Sequence, residues 1–148
     1  AMAVRALARP IARGRVRVGE GSAAATGLPD ACADVVVSVN TVAIWPDLDA
    51  GLDELRRVLR PGGTLVLSWH GGRAPSRAAR RLCLPAEQLD RIGAAVSARF
   101  SGARRELTRR CTVFLARRPA SREQERDQRG GDQDARSGAD EHPQRRRR

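Results

Sequence analysis

Residues Ala33–His70 read ADVVVSVNTVAIWPDLDAGLDELRRVLRPGGTLVLSWH, and the period of the apolar pattern changes twice along them. The run ADVVVSVN is short and dense in β-branched residues, which predicts a strand over about Asp34 to Asn40, buried on both faces. Leu48, Leu52, Leu55 and Leu59 then recur at helical spacing and form one apolar stripe. Asp47 precedes that stripe at the N-cap position. Asp49, Asp53 and Glu54 occupy the early turns and Arg56, Arg57 and Arg60 the last, an order of charge that complements the helix dipole. Pro61 stops the helix, and Gly62-Gly63 offers a positive-φ turn into a second strand, about Thr64 to Trp69. Strand, crossover helix and strand make a parallel βαβ unit, right-handed by the general rule for such connections.

Toward the N-terminus the signals are shorter. Residues 3 to 12 alternate Ala, Leu and Val with Arg and suit the last turns of a helix that began upstream. Arg15 to Gly19, RVRVG, alternates as a strand does. Gly21, Gly27 and Pro29 punctuate a loop, with one helical turn expected at Ala23 to Ala25. Ala1 precedes Met2, so the start reads as a tag remnant or a cut within a longer frame.

Beyond the unit, Gly71-Gly72 breaks the second strand, and a helical pattern over Ser76 to Ala98 is split in two by Pro85. Phe100 to Leu107 and Cys111 to Arg117 follow as two strands joined so closely that they pair antiparallel. From Ala120 onward there is no Leu, Ile, Val, Phe, Met or Trp, a composition that cannot offset the entropy of ordering. The chain therefore divides into 1–14 as a helix remnant, 15–119 as the α/β folding unit, and 120–148 as a disordered charged tail.

The 148 residues carry a net charge of +11, all of the positive charge as arginine and none as lysine. Arg-only, Ala-rich usage fits a coding bias. The alternative is a basic face for nucleic acid, but the arginines are scattered and aromatic residues for base stacking are few. Cys32, Cys83 and Cys111 lack metal-ligand spacing and are odd in number, which points to reduced thiols of a cytoplasmic protein, Cys83 on a helix and Cys111 on a strand. No apolar run reaches membrane-spanning length.

Three segments carry a resemblance to a known family: GSAAATGLPDACADVVVSVNTVAIWPD, LDELRRVLRPGGTLVLSW and FSGARRELTRRCTVFLARRP. Together they resemble the C-terminal part of the class I S-adenosylmethionine-dependent methyltransferases of small molecules, over about residues 10 to 119. The resemblance implies a partial doubly wound, Rossmann-like, mostly parallel sheet of about five strands ending in an antiparallel pair, with RVRV as the family's third strand. It also implies S-adenosylmethionine as cofactor and a small-molecule methyl acceptor. The family's glycine-rich loop and the acidic residue that holds the ribose have no counterpart in this sequence. A partner chain supplying that half is accordingly one expectation, and a non-catalytic remnant or interaction module another.

Ligands of open α/β sheets sit beyond the carboxyl ends of the strands. By resemblance, Gly21, Ser22 and Ala23 line the adenine pocket, with Ser22 where many members have Asp; a plain turn is the alternative. Ser38, Val39 and Asn40 face the methionine part of the cofactor, although Asn40 also suits a simple strand end. Thr41 and Trp45 border the substrate pocket, Trp45 having an ordinary core role as its rival. His70 is the candidate general base.

Overall fold

The computed structural model describes Gly14 and residues 16–120. In chain order these form strand β1 (Ala33–Val39), a single 3-10 turn (Val42–Ile44), helix α1 (Leu48–Val58) and strand β2 (Leu59–His70). Helix α2 (Arg77–Arg80), helix α3 (Ala86–Arg99) and strands β3 (Ser101–Leu107) and β4 (Cys111–Arg117) follow. The described sheet has four strands in the order β1-β2-β4-β3. β1 and β2 run parallel, and β4 is antiparallel to both of its neighbours. The α/β class and the closing antiparallel pair are as the sequence indicates.

Register divides the sheet into two faces. Val36 lies opposite Leu65, Leu65 opposite Ala116, Leu67 opposite Phe114 and Trp69 opposite Thr112, so these side chains share one face. Leu52 and Leu55 of α1 and Ile92 and Val96 of α3 pack onto it, and Leu52, Leu65 and Leu67 are wholly shielded from solvent. The leucine stripe of α1 fills this layer. On the other face Val37 lies opposite Val66, Val66 opposite Leu115, and Ser68 opposite Val113. There Val35, Val37 and Val39 remain 55–58% exposed. The expected double-sided burial of β1 is thus corrected: among the described residues helices cover one face only.

Helix caps follow the sequence closely. Asp47 Oδ1 accepts from the Ala50 amide at 2.9 Å, and Ser76 Oγ accepts from the Ala79 amide at 3.2 Å. The last turn of α1 is capped from a distance: the Arg118 guanidinium donates to the carbonyls of Arg56 at 3.0 Å and Arg57 at 3.2 Å, and also to that of Leu59.

Other expectations need correction. Helix α1 ends at Val58 and β2 begins at Leu59, so Pro61-Gly62-Gly63 forms an irregularity within β2 instead of a turn before it. Pairing jumps there, from Ala33 opposite Leu59 to Val35 opposite Thr64. Both glycines are required: Gly62 has φ +78°, and a Cβ on Gly63 would lie 2.8 Å from the Arg60 carbonyl and 3.1 Å from that of Asp34. Residues 16–19 of RVRVG form no strand, because alternation alone cannot hold a strand that has no hydrogen-bonded neighbour among the described residues. Ala23–Ala25 is no helical turn, since the Ser22 and Ala25 backbones exchange two hydrogen bonds. Cys83 lies after α2 and not on it, whereas Cys111 does open β4; all three cysteines are free thiols. The expected helix over 3–12 and the charged tail beyond Ala120 lie outside the described residues.

Candidate functional site

The carboxyl ends of the parallel pair lie together, at Val39 of β1 and His70 of β2. The Asn40 amide donates to the Ser68 carbonyl at 2.8 Å, carrying the ladder one residue past β1. Asn40 then turns the chain with φ +56°, a conformation Asn tolerates because its short polar side chain offsets the steric cost. Its side-chain Oδ1 is buried and has no hydrogen-bond partner among the described residues. An unpaired buried acceptor costs free energy unless a donor reaches it, so this atom is suited to receive an N–H or O–H group.

The next residues form a short relay of hydrogen bonds. Ser38 Oγ and Thr41 Oγ1 are 2.7 Å apart, and the Trp45 indole N–H donates to Thr41 Oγ1 at 3.3 Å. Trp45 lies over α1 at Gly51, where an added Cβ would come within 2.6 Å of the ring. The half-buried ring also packs against the core cluster, so the core role weighed for Trp45 is real, and its open side borders a cavity.

His70 pairs across the ladder with Cys111 and packs its ring edge-to-face on Trp69, with centroids 5.8 Å apart. No carboxylate orients its imidazole among the described residues. Gly71 and Gly72 beside it are needed for close approach, because a Cβ on Gly72 would stand 2.5 Å from the backbone nitrogens of Arg110 and Cys111. The Thr112 hydroxyl closes the same corner by donating to the Gly71 carbonyl at 2.9 Å.

Gly21, Ser22 and Ala23 form a tight turn whose backbone closes on Ala25. No hydrogen bond joins this turn to the Ser38–Trp45 cluster among the described residues. What holds the segment is a latch just downstream. The Thr26 amide donates to Glu54 Oε1 at 2.9 Å, and Arg57 binds Glu54 Oε2 at 2.7 Å, the Leu28 carbonyl at 2.6 Å and the Asp30 carboxylate. The Ala31 and Cys32 amides then donate to the carbonyls of Arg57 and Val58 at 2.9 Å. The Arg57 guanidinium and the two Thr26 donors bring the Glu54 carboxyl down from 4.5 to about 2. The carboxylates of Glu54 and Asp30 raise Arg57 further above its already high range.

Sequence reasoning missed Gln88 and Arg91 of α3, which approach Trp45 across a cavity also lined by Val42, Pro46 and Ile92. Helical periodicity marks Ile92 as core-facing, but nothing local pairs α3 with the segment after β1. No group of three or more potential metal ligands occurs among the described residues. The strand ends therefore offer an orphan acceptor, two hydroxyls, an indole and one imidazole, groups suited to holding and aligning a ligand by hydrogen bonds.

Known proteins resemble the chain both in sequence and in fold. Residues 1–67 match the methyltransferase domain family model. An uncharacterized methyltransferase of Bacillus subtilis, YdaC, is 38% identical over 53 residues, which are 36% of this chain and 29% of that protein. A putative S-adenosyl-L-methionine-dependent methyltransferase from Methanococcus maripaludis superimposes with a TM-score of 0.64 at 17% identity, over 81% of this chain and 62% of that one. The [4+2]-cyclase SpnF superimposes with a TM-score of 0.60 at 15% identity, over 81% and 63%. At such identities the two structures speak for the fold alone. This chain spans under a third of the Bacillus relative and somewhat under two thirds of these structural neighbours. Residues 1–67, under half of the chain, are thus similar to the methyltransferase domain family, and the fold is similar to that of an S-adenosyl-L-methionine-dependent methyltransferase.

Proposed function

We propose that this chain takes part in methyl transfer from S-adenosylmethionine to a small-molecule acceptor, contributing the strand ends that hold the amino-acid end of the cofactor. The observation that carries the reading is Asn40 Oδ1, a buried acceptor without a partner among the described residues at the carboxyl end of a parallel strand. The α-ammonium group of the cofactor presents three N–H donors, which suits that atom. Bound there, the cofactor supplies an activated methyl group on a sulfonium centre.

The chain's own part is positioning. Asn40 is anchored through its backbone bond to Ser68, which fixes the point from which its side chain reaches a donor. The backbones of Ser38 and Val39 flank it, and the Gly21–Ala23 turn offers small residues for close approach of a flat base. Thr41, bonded to both Ser38 and Trp45, sets the angle of the indole that walls off water on the acceptor side. His70 takes up a proton where the acceptor is a hydroxyl or amine that must lose one.

Isothermal titration of the full chain with S-adenosylmethionine tests the reading. A saturable heat that weakens about tenfold in Asn40→Ala is expected, the effect of losing a hydrogen bond to a charged group. No heat at millimolar cofactor, from this chain alone or mixed with a polypeptide bearing the family's glycine-rich half, overturns it. The mixing arm is included because the outer edge of β1 is unpaired among the described residues, which favours completion of the site by a further strand.

A further inference from the structure

The cavity beside Trp45 has a volume of about 220 Å³ and lies between the segment after β1 and the first two turns of α3. Its walls divide by chemistry: Val42, Trp45, Pro46 and Ile92 are apolar, while Gln88 and Arg91 of α3 bring polar groups. Arg91 is exposed and has no ion-pair partner among the described residues, unlike Arg57, Arg60, Arg99, Arg104 and Arg105.

Carboxylates of the neighbouring helices are mostly committed elsewhere. Asp47 caps α1, Asp49 binds Arg99 at 2.9 Å, and Asp90 binds Arg105 at 2.7 Å. Glu87, one helical turn before Arg91, is the remaining acid on that part of α3. A larger cavity, about 280 Å³ between α3 and β3, lacks such a free cation, because its Arg104 and Arg105 are paired with Glu106 and Asp90.

We infer that the cavity beside Trp45 binds a small apolar carboxylic acid, its ring or chain against Trp45 and Ile92 and its carboxylate on Arg91, and that this is the acceptor class of the site. Calling the acid an acceptor rests on the methyl-transfer reading; its binding rests on the cavity alone. Size is adequate: an apolar cavity of about 150 Å³ accepts benzene, so the space here takes one ring with a short acidic arm. A guanidinium matches a carboxylate in a two-pronged geometry, and Gln88 adds a neutral donor. Thr41 links this wall to the strand end through the Trp45 indole, which places the acid next to the residues that face the methyl donor.

The test uses the full chain, phenylacetate and its neutral analogue phenylacetamide as probes, and two-dimensional NMR without cofactor. Phenylacetate is expected to shift the Trp45 indole and the Arg91 signals and to bind about tenfold more tightly than the amide, as a charge-assisted contact requires. Arg91→Gln removes that preference, Arg91→Lys keeps part of it, and Glu87→Gln strengthens binding of the acid. Equal affinity for acid and amide, or shifts confined to another surface, overturns the inference. Cofactor titration on the same sample, alone and mixed with a polypeptide bearing the glycine-rich half, separates the two proposals. Acid-selective binding without cofactor binding leaves the cavity's assignment standing and removes the methyl-transfer reading; cofactor binding without acid selectivity does the reverse.

Discussion

The two faces of the sheet are built from equally apolar strands and end in opposite environments. On one, Leu65 and Leu67 are fully buried beneath α1 and α3; on the other, Val35, Val37 and Val39 stand more than half exposed. β-Branched composition thus reports the tendency of a strand to be covered, while the covering element decides whether it is. The described sheet is mixed, with one parallel pairing and two antiparallel ones, and sheets with antiparallel strands can leave one face to solvent.

The largest effect expected lies on the covered face. Leu65→Ala should lower unfolding free energy by about 2–5 kcal/mol in chemical denaturation, the cost of lost burial plus a cavity. Gly63→Ala comes next, at about 1–3 kcal/mol, because the new Cβ meets two backbone carbonyls that cannot move without breaking the β1–β2 irregularity. Equal stability of Gly63→Ala and wild type would mean that the pairing jump after Ala33 is not as described.

A smaller effect concerns the latch on the outer side of α1. The carboxyl of Glu54 titrates lower in the folded chain, about 2, than its ordinary 4.5, so its contribution is full above about pH 4.5 and is lost as pH falls toward 2. The Thr26 amide resonance of the folded chain, followed by NMR, should stay constant down through pH 4.5, move only as pH approaches about 2, and be insensitive to pH in Glu54→Gln. Smallest of all, Val37→Thr on the open face should change stability by within about 0.5 kcal/mol. A loss of the size expected for Leu65→Ala would show that the valine face is covered in solution, and would erase the contrast between the faces.

Much of the fold is legible because its signals are local. The leucine stripe, the Asp47 cap, the break at Pro85 and the tight β3–β4 connection each lie within a few residues of the structure they specify. RVRVG misleads for the opposite reason: alternation is local, but a strand needs a neighbour that the sequence pattern does not name. At the candidate site, Ser38, Asn40, Thr41 and Trp45 are legible as a strand end, and the structure links Ser38, Thr41 and Trp45 by hydrogen bonds. Gln88 and Arg91 are not, since they lie far from Trp45 along the chain and meet it only through packing.

The order of residues alone specifies the βαβ unit, its caps, the succession of the later elements and the family likeness, because these follow from periodicity, turn chemistry and short motifs. Tertiary structure was needed to show which face of β1 is bare, that Pro61-Gly62-Gly63 lies inside a strand, that Glu54 latches Thr26, and that Asn40 Oδ1 is buried without a partner among the described residues. Each of those depends on contacts between residues distant in the chain, and burial and hydrogen-bond satisfaction are properties of such contacts.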